Sequence, residues 1–461
     1  MKFVGREKEI RRIDKALHAN RFQAIMLYGR RRIGKSALIK EVLKRSDLNS
    51  IYYECRQTSE ESNVKSFLSV VSEQLNLPVL GYSSIEEALE YIFKLSVNTP
   101  FILVIDEYPY LQKTVKGMDS ILQIMIDQFK DSSQMKLIIC GSYVDVMKSL
   151  IDTSNPLYGR FNTILELRSM DYYDSQKFYP SFSPEDKVRA YSVFGGIPYY
   201  NEKIDDQKSF RDNLLDLIVE PGSVLEDEVL NYIRSEISKI TNANEAFEAL
   251  SHGNYRYSDI FDNSHISSSP ALAEVLKKLI DMDLVAKEAP INDENNKKKT
   301  GYVISDALSL FFYRYIYRYS SQRNIMNPDI FYDRYIKDDF ERQYVPMQFE
   351  RICREYLIRQ NKAGKLEEPF EKIGKYYYDL PAEHKNGEFD VVTLDPNGYI
   401  FYEAKFRSKP ISEDMIQEEI NQAKASGMNC YKYGFFSKMD FEEIKNIKED
   451  LTLITLEDIY S

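Results

Sequence analysis

One eight-residue segment constrains this chain more than any other. It matches the pattern G-x-x-x-x-G-K-[ST] at every position and reads Gly29-Arg30-Arg31-Arg32-Ile33-Gly34-Lys35-Ser36. An apolar run precedes the segment, and a helix-like stretch that begins at Ala37 follows it. In that setting the glycines let backbone N–H groups turn around a phosphate, and the helix N-terminus adds positive partial charge. The segment therefore predicts a site for a nucleoside triphosphate and Mg²⁺.

The side chains of this loop are suited to different tasks. We expect Lys35 to reach the β- and γ-phosphates and Ser36 to hold Mg²⁺ through its hydroxyl. The backbone of the whole loop, through Ala37, is expected to surround the phosphates. Its three consecutive arginines, Arg30, Arg31 and Arg32, could face the phosphates, DNA or solvent.

Length and composition limit the classes of protein to which this chain can belong. A chain of 461 residues with 43% hydrophobic and 29% charged residues is typical of a globular protein with about three domains. No apolar run approaches the ~18 residues of a membrane span, and the N-terminus has no apolar signal region, which predicts a cytoplasmic protein without a membrane partner. The net charge of −11 argues against a uniformly basic nucleic-acid binder but not against local basic patches.

A second apolar run, residues 101–105, ends in Asp106 and Glu107. Beside a phosphate loop, Asp106 can hold the water shell of Mg²⁺, and Glu107 can orient or deprotonate the attacking water. The alternative is a core strand that ends in two solvated acids. A third run, residues 136–140, is followed by Ser142, which is either a sensor of the γ-phosphate or part of an ordinary strand end.

Two more apolar runs, residues 50–53 and 163–167, bring the number of expected strands to five. Helical patterns separate most of these runs, and this alternation is typical of a parallel sheet covered by helices on both faces. The predicted fold class of this part is therefore α/β.

Several short motifs in this region carry a family resemblance. They lie at residues 3–10, 106–111, 141–142, 156–160 and 195–199. In order and spacing they resemble the archaeal-type ATPases of the AAA+/STAND division of P-loop NTPases. The resemblance implies an ATPase core with a helical lid over residues 1–205. It also implies that Arg160 contacts the γ-phosphate, in cis or from a neighbouring subunit of a homo-oligomer; from the residues alone, Arg160 is a surface residue or part of a local ion pair.

The middle of the chain, residues 206–310, predicts a helical linker and an α+β winged helix. A helix begins near Ser268, and two strand-like runs, 284–288 and 301–304, flank a polar tip that contains Lys297, Lys298 and Lys299. One interpretation is DNA docking through the helix and the wing. The other, favoured by the many acidic residues here, is a domain-packing module. An aromatic stretch then starts a helical connector over residues 311–345.

In the C-terminal quarter, two strand-like runs, 388–393 and 399–405, are separated by the turn sequence Asp395-Pro396-Asn397-Gly398. Alternation puts Glu403 and Lys405 on one face, which Asp390 can reach from the neighbouring strand. Asp390 and Glu403 could bind Mg²⁺, which would lower the pKa of a bound water. Lys405 could position that nucleophile or stabilise negative charge.

This arrangement, over residues 346–461, resembles the PD-(D/E)xK restriction-endonuclease-like α/β fold. The resemblance implies that Glu350, on the first helix, is a further metal ligand, and it gives Gln422 a place beside the active strands. Phe389 stands where the motif has proline. Two functions remain: an ATPase that controls a Mg²⁺-dependent nuclease acting on nucleic acid, DNA more than RNA, or an ATPase switch that binds DNA or a protein through an inactive C-terminal domain.

Overall fold

The computed structural model describes residues 3–78, 81–237, 242–380 and 385–461 of the chain. They form two compact units. The first contains the residues up to Ser169 together with Ile197–Tyr199, and the second contains Met170–Gly196 and Tyr200–Ser461. The four-part division expected from the sequence stays a prediction.

The first unit is built on the predicted parallel sheet of five strands, in the order β2-β3-β4-β1-β5. The strands are β1 (Gln23–Tyr28), β2 (Ser50–Glu54), β3 (Ile102–Asp106), β4 (Lys136–Gly141) and β5 (Thr163–Glu166). Every residue of β1, β3 and β4 is buried. Helices cover the faces of such a sheet, and this is why its central strands read as continuous apolar runs instead of alternating ones.

The helices of this unit follow the strands in the order typical of an α/β fold. They are α1 (Glu7–Leu17), α2 (Lys35–Arg45), α3 (Glu60–Leu75), α4 (Ile85–Leu95), α5 (Tyr108–Thr114), α6 (Met118–Phe129) and α7 (Val144–Ser149). Helix α2 begins directly after Gly34, whose φ of 91° lies in the left-handed region that glycine adopts without strain. The predicted strand, loop and helix around residues 29–36 are thus confirmed.

The second unit starts with helices that lead into the middle of the chain. They are α8 (Tyr172–Ser175), a 3₁₀ turn (Gln176–Phe178), α9 (Pro184–Phe194), α10 (Pro198–Asn201, whose first two residues belong to the first unit), α11 (Phe210–Leu214), a π-helical segment (Leu215–Val219) and α12 (Glu228–Ile237). The winged helix follows as α13 (Ala243–Ser251), α14 (Tyr257–Asn263), α15 (Ser269–Asp281) and the antiparallel pair β6 (Val285–Glu288) and β7 (Gly301–Ile304).

Short helices connect the wing to the long helix α20 (Val345–Lys362). They are α16 (Ala307–Phe311), α17 (Ser320–Arg323), α18 (Pro328–Phe331) and α19 (Lys337–Asp339), with π-helical segments at Phe312–Tyr317, Tyr332–Ile336 and Phe340–Tyr344. Phe311, Tyr313, Tyr315 and Tyr344 are almost completely buried. The aromatic stretch is therefore internal to the unit.

The C-terminal domain is a mixed sheet of five strands in the order β12-β11-β10-β9-β8. Its elements are β8 (Lys372–Leu380), β9 (Lys385–Asp395), β10 (Gly398–Lys405), α21 (Glu413–Ala425), β11 (Cys430–Ser437), β12 (Leu451–Thr455) and α22 (Leu456–Tyr460). Strands β8, β9 and β10 are antiparallel neighbours, and β10, β11 and β12 are parallel ones. The hairpin predicted at residues 395–398 is the turn between β9 and β10.

Across the described ranges, none of the helices combines the length and apolarity needed to cross a bilayer.

Candidate nucleotide and metal-dependent sites

The phosphate loop wraps around the side chain of Lys35. The Nζ of Lys35 donates to the carbonyl oxygens of Gly29 and Arg30 at 2.8 and 3.0 Å. Gly29 approaches the neighbouring backbone so closely that a Cβ there would lie 2.3 Å from the carbonyl oxygen of Leu167. The loop therefore needs glycine at this position, and its carbonyl groups hold the ammonium of Lys35. Contact of Lys35 with nucleotide phosphates stays a prediction.

Ser36 and Asp106 lie 70 residues apart in the chain, and their side chains meet. The Oγ of Ser36 donates to the Oδ2 of Asp106 at 2.8 Å, and the hydroxyl of Tyr52 donates to the same oxygen. Asp106 is only 1% exposed, and its Oδ1 accepts from the backbone N–H of Glu107 at 2.9 Å. A hydroxyl and a carboxylate side by side are the oxygen donors that Mg²⁺ takes, so these residues fit the predicted ion.

Glu107 and Ser142 form a second pair at the ends of the neighbouring strands β3 and β4. The carboxylate of Glu107 accepts from the backbone N–H of Ser142 at 3.2 Å and from its hydroxyl at 2.5 Å. Glu107 lies in the left-handed region, with φ of 53°, as the residue that precedes helix α5. Strand order alone brings the predicted water-activating acid and the predicted phosphate sensor together.

The arginines of the loop and Arg160 contact other parts of the protein. Arg31 donates to the hydroxyl of Tyr143 at 3.1 Å, and the guanidinium of Arg32 lies 4.0 Å from the ring centre of Tyr199. Arg160 forms an ion pair with Asp127 at 2.8 Å, and this hydrogen bond lowers the pKa of Asp127. Contact of Arg160 with a γ-phosphate stays a prediction.

Two residues at this site were not expected from the sequence. Arg6 is buried and donates to the carbonyl oxygens of Ile33 and Arg168 at 3.2 and 2.7 Å, which ties the loop to the end of the sheet. Its place within the N-terminal motif was a signal that could have identified it. The second residue is Tyr52. Its contact with Asp106 follows only from the pairing of β2 with β3.

In the C-terminal domain, three elements bring the predicted acidic residues to one place. Asp390 comes from β9, Glu403 from β10 and Glu350 from α20. Burial, together with the charge of Asp390, raises the pKa of Glu350 to about 8, against the opposing effect of nearby Lys375. Burial also raises the pKa of Glu403 to about 7, although Lys405 acts in the opposite direction. Asp390 acts to raise the pKa of both glutamates, so the three carboxyl groups interact electrostatically.

Two lysines each form ion pairs with two carboxylates of this cluster. The Nζ of Lys405 lies 2.5 Å from Glu403 and 2.8 Å from Glu419 of α21. The Nζ of Lys375, on β8, lies 2.7 Å from Asp390 and 3.1 Å from Glu388.

The donor set predicted for Mg²⁺ is present, but its side chains do not face a common centre. In the part of the chain that the structure describes, no group of three or more His, Cys, Asp or Glu side chains is arranged to hold a metal. The reason is that the carboxylates of Asp390 and Glu403 point to ammonium groups. The oxygen chemistry of Asp390, Glu403 and Glu350 fits Mg²⁺, and their use as ligands requires these ion pairs to rearrange.

Lys375 and Glu419 are the residues that sequence reasoning missed here. Lys375 directly precedes the three tyrosines of β8, and Glu419 lies one helical turn before Gln422, on the same face of α21. The amide of Gln422 itself lies 3.4 Å from the hydroxyl of Tyr378.

The loop between β6 and β7 lies along the edge strand of the C-terminal sheet. The N–H of Ile291 donates to the carbonyl oxygen of Lys375 at 2.8 Å, and the side chain of Asn292 exchanges hydrogen bonds with the backbone of Tyr377 at 2.7 and 3.2 Å. The ammonium of Lys299 lies 3.7 Å from the ring centre of Tyr377. Of the two interpretations of the wing, these contacts favour domain packing.

Comparisons with known proteins agree with this architecture. Residues 3–204 match a family described as an ATPase domain predominantly from Archaea, and residues 312–422 match a family of archaeal and bacterial proteins of unknown function. The chain is 31% identical over 467 residues to an uncharacterised protein, MJECL04, of Methanocaldococcus jannaschii, with 99% of each chain covered.

Solved structures are similar at lower identity. The Walker-type ATPase PABY2304 of Pyrococcus abyssi is 19% identical, with a TM-score of 0.51 over 68% of this chain and 96% of that one. The ORC2 protein of Aeropyrum pernix, in its ADPNP and ADP complexes, is 12% identical, with a TM-score of 0.44 over 70% and 96% of the two chains. The first of these shows a shared fold.

The identity to the Methanocaldococcus jannaschii protein extends over nearly the whole of both chains. The protein therefore belongs to the family of that relative, and in this chain an ATPase domain of the predominantly archaeal type precedes a region that matches archaeal and bacterial proteins of unknown function.

Proposed function

We propose that this protein binds and hydrolyses ATP at the phosphate loop and uses that cycle to control a Mg²⁺-dependent nuclease-like site in its C-terminal domain. The substrate is nucleic acid, with DNA favoured over RNA. The observation that carries the proposal is the electrostatic interaction of Glu350, Asp390 and Glu403, which come from a helix and two strands, together with the Nζ of Lys405 at 2.5 Å from Glu403.

At the ATPase site, the residues have separate tasks. Lys35 binds the β- and γ-phosphates, and Ser36 and Asp106 hold Mg²⁺ with its water shell. Glu107 orients the attacking water or accepts its proton, since it directly follows Asp106 at the end of β3. The hydrogen bond from Ser142 keeps the Glu107 carboxylate in one position.

At the C-terminal site, a bound divalent ion would polarise the phosphodiester and lower the pKa of a water. Asp390 and Glu403 would hold it, with Glu350 as a further ligand, once their ion pairs with the lysines have rearranged. Lys405 lies beside Glu403 and stabilises the negative charge that develops on the phosphate. The raised pKa values of Glu350 and Glu403 fit a site that loses protons when a metal binds.

Helix α20 supports a coupling of lid and nuclease-like site, because it serves both. Glu350 faces the acidic cluster, whereas Glu355 accepts hydrogen bonds from the Tyr191 hydroxyl at 2.8 Å and the Tyr172 N–H at 3.1 Å. Five residues correspond to roughly 140° around a helix, so the two acids lie on different faces. Both tyrosines belong to Met170–Gly196, the segment that directly follows the first unit in the chain. A movement of this segment would therefore act on α20.

The test is a cleavage assay on single-stranded DNA, double-stranded DNA and RNA with Mg²⁺, with and without ATP. We expect cleavage of DNA that depends on ATP and is lost in Lys405→Ala. Lys409→Ala, an exposed lysine just beyond β10, is the matched control and keeps activity. The absence of cleavage under every condition, or cleavage that survives in Lys405→Ala, would exclude the nuclease.

A second function is favoured by the ion pairs of Lys375 and Lys405, which already neutralise Asp390 and Glu403. In that case the C-terminal domain binds DNA or a protein partner without cutting, and the ATPase switches that binding. Nucleotide-dependent retention of DNA without any cleavage product in the same assay would support it.

A further inference from the structure

We propose that Tyr52 is a positioning residue of the ATPase site: its hydroxyl holds the Oδ2 of Asp106, so that the other oxygen, Oδ1, is presented to the water shell of Mg²⁺. This role rests on the site for Mg²⁺ proposed above at Ser36 and Asp106. It concerns a residue to which that proposal gives no task, and it involves the first unit alone.

Strand pairing brings Tyr52 to Asp106. In the parallel pair of β2 and β3, Tyr52 lies opposite Val104, and Glu54 lies opposite Asp106. Residues two apart along a strand share a face of the sheet, so Tyr52 lies on the face to which Asp106 belongs. The long side chain of tyrosine reaches the carboxylate two residues further along β3, where its hydroxyl donates to Oδ2.

The two oxygens of Asp106 have different partners. Oδ2 accepts from the Oγ of Ser36 at 2.8 Å and from the hydroxyl of Tyr52, whereas Oδ1 accepts from the backbone N–H of Glu107 at 2.9 Å. A carboxylate oxygen offers two lone pairs, so the two hydroxyls use both of those on Oδ2. Oδ1 is the oxygen left to accept from a water of the ion. Ser36 gives its single proton to Oδ2 and keeps its own lone pairs for the ion.

Burial makes the hydroxyl of Tyr52 decisive for the orientation of this carboxylate. Asp106 is only 1% exposed, so bulk water does not replace a lost donor, and an unmet acceptor there costs free energy. The tyrosine is itself restrained, because β2 fixes its backbone and the ammonium of Lys40 lies 5.5 Å from its ring centre. Without the hydroxyl, Ser36 alone holds Oδ2, and the carboxylate can rotate away from the ion.

The experiment is equilibrium titration of the full chain with a fluorescent, non-hydrolysable ATP analogue, in Mg²⁺ and in EDTA. We expect Mg²⁺ to tighten binding to the unaltered protein. In Tyr52→Phe, the affinity in Mg²⁺ should fall about tenfold, as for the loss of a hydrogen bond to a charged group, and the affinity in EDTA should stay the same. Tyr53→Phe is the matched control, because the hydroxyl of this next tyrosine of β2 donates to Asn63 instead, at 2.7 Å.

A double-mutant cycle shows whether Tyr52 acts through Asp106. In an Asp106→Asn background, Tyr52→Phe should leave the ratio of the two affinities unchanged, since its effect requires the carboxylate. A further tenfold fall in that background would overturn the role of Tyr52. Tyr52→Phe keeps the ring, and circular dichroism checks that it is folded; if it is not, Tyr52→Leu, which also lacks the hydroxyl, takes its place.

The remaining outcomes separate this role from the proposed function. Equal losses of affinity with and without Mg²⁺ in Tyr52→Phe, or an unchanged or tighter affinity in Mg²⁺, overturn the role of Tyr52 and leave the ATPase site standing. If Mg²⁺ does not change the affinity of the unaltered protein, the magnesium site and the role of Tyr52 are overturned together.

Discussion

The carboxylate of Glu107 is held by Ser142, which donates its hydroxyl at 2.5 Å and its backbone N–H at 3.2 Å. The two residues follow neighbouring strands, and Glu107 adopts a left-handed backbone conformation there. A serine hydroxyl has a single proton to donate, so Ser142 cannot donate to Glu107 and to a phosphate at once. If Ser142 contacts the γ-phosphate as predicted, its hydroxyl has to leave Glu107, and the pair would then link the acid to the nucleotide.

Glu107→Gln is expected to keep ATP binding and to lower the rate of ATP hydrolysis at least ~100-fold, since an amide cannot accept the proton of the attacking water. Ser142→Ala, which leaves the carboxylate in place, is expected to change the rate less than about tenfold by removing one hydrogen bond. Phosphate release and binding of a fluorescent ATP analogue measure the two effects. Hydrolysis at the unaltered rate in Glu107→Gln would assign the reaction to another residue.

Lys35→Ala is expected to weaken ATP binding at least about tenfold, because it removes charged hydrogen bonds to the phosphates. Equilibrium titration with the same fluorescent analogue measures this loss. Lys44→Ala, an exposed lysine at the end of α2, is the control and should bind normally. Equal affinities for the two variants would argue against the phosphate loop as the binding site.

Glu350→Gln is expected to stabilise the protein at alkaline pH. The pKa of Glu350 is raised from 4.5 to about 8, so the folded state holds a proton that the unfolded state loses. The stability that this proton contributes is fully present below about pH 4.5 and is lost as the pH rises through 8. The variant should therefore match the unaltered protein near pH 5. At pH 8.5 its free energy of unfolding should be greater by on the order of a few kcal/mol, and its Tm should be higher.

Thermal melts across this pH range provide the measurement. Glu443→Gln, an exposed carboxylate on the surface of the C-terminal domain, serves as the control and should show no such divergence. A Tm difference that stays constant between pH 5 and 8.5 would contradict the raised pKa.

Gly196→Ala is expected to destabilise the second unit by more than ~2 kcal/mol. A Cβ at this position would lie 1.8 Å from the carbonyl oxygen of Met170, and the N–H of Met170 donates to Gly196 at 2.8 Å. The backbone must therefore shift to accept it. Gly81→Ala, which meets no atom within 4 Å, is the control in the same thermal melt. Equal Tm values for the two variants would refute this close approach.

Asn292→Ala is expected to speed amide hydrogen exchange in β8, about tenfold around Tyr377, because the lost side chain accepts from the Tyr377 N–H at 3.2 Å. Mass spectrometry of peptides that cover residues 372–380 reports the change. Asn295→Ala, at an exposed position of the same loop, should leave exchange as it was. Unchanged protection in Asn292→Ala would mean that the wing does not cover this edge in solution.

Much of the fold could be predicted from the sequence because its signals are local. The phosphate loop is one continuous segment, the five parallel strands are continuous apolar runs, and the turn at residues 395–398 lies between two alternating strands. Each of these patterns reflects the backbone needs or the burial of a single element. Similarity to an archaeal relative over nearly the whole chain shows the family of the protein. The match of residues 3–204 identifies the ATPase domain.

The partners of the site residues depended on contacts between elements far apart in the chain. Strand order joined Ser36 to Asp106 and Glu107 to Ser142, and the packing of α21 brought Glu419 to Lys405. The docking of the wing on β8 is likewise invisible in the sequence of either segment. The sequence by itself thus determined which chemical groups the protein carries, since residue type and local periodicity are written in it. Only the tertiary structure decided which charges neutralise which, because register and packing depend on the whole chain.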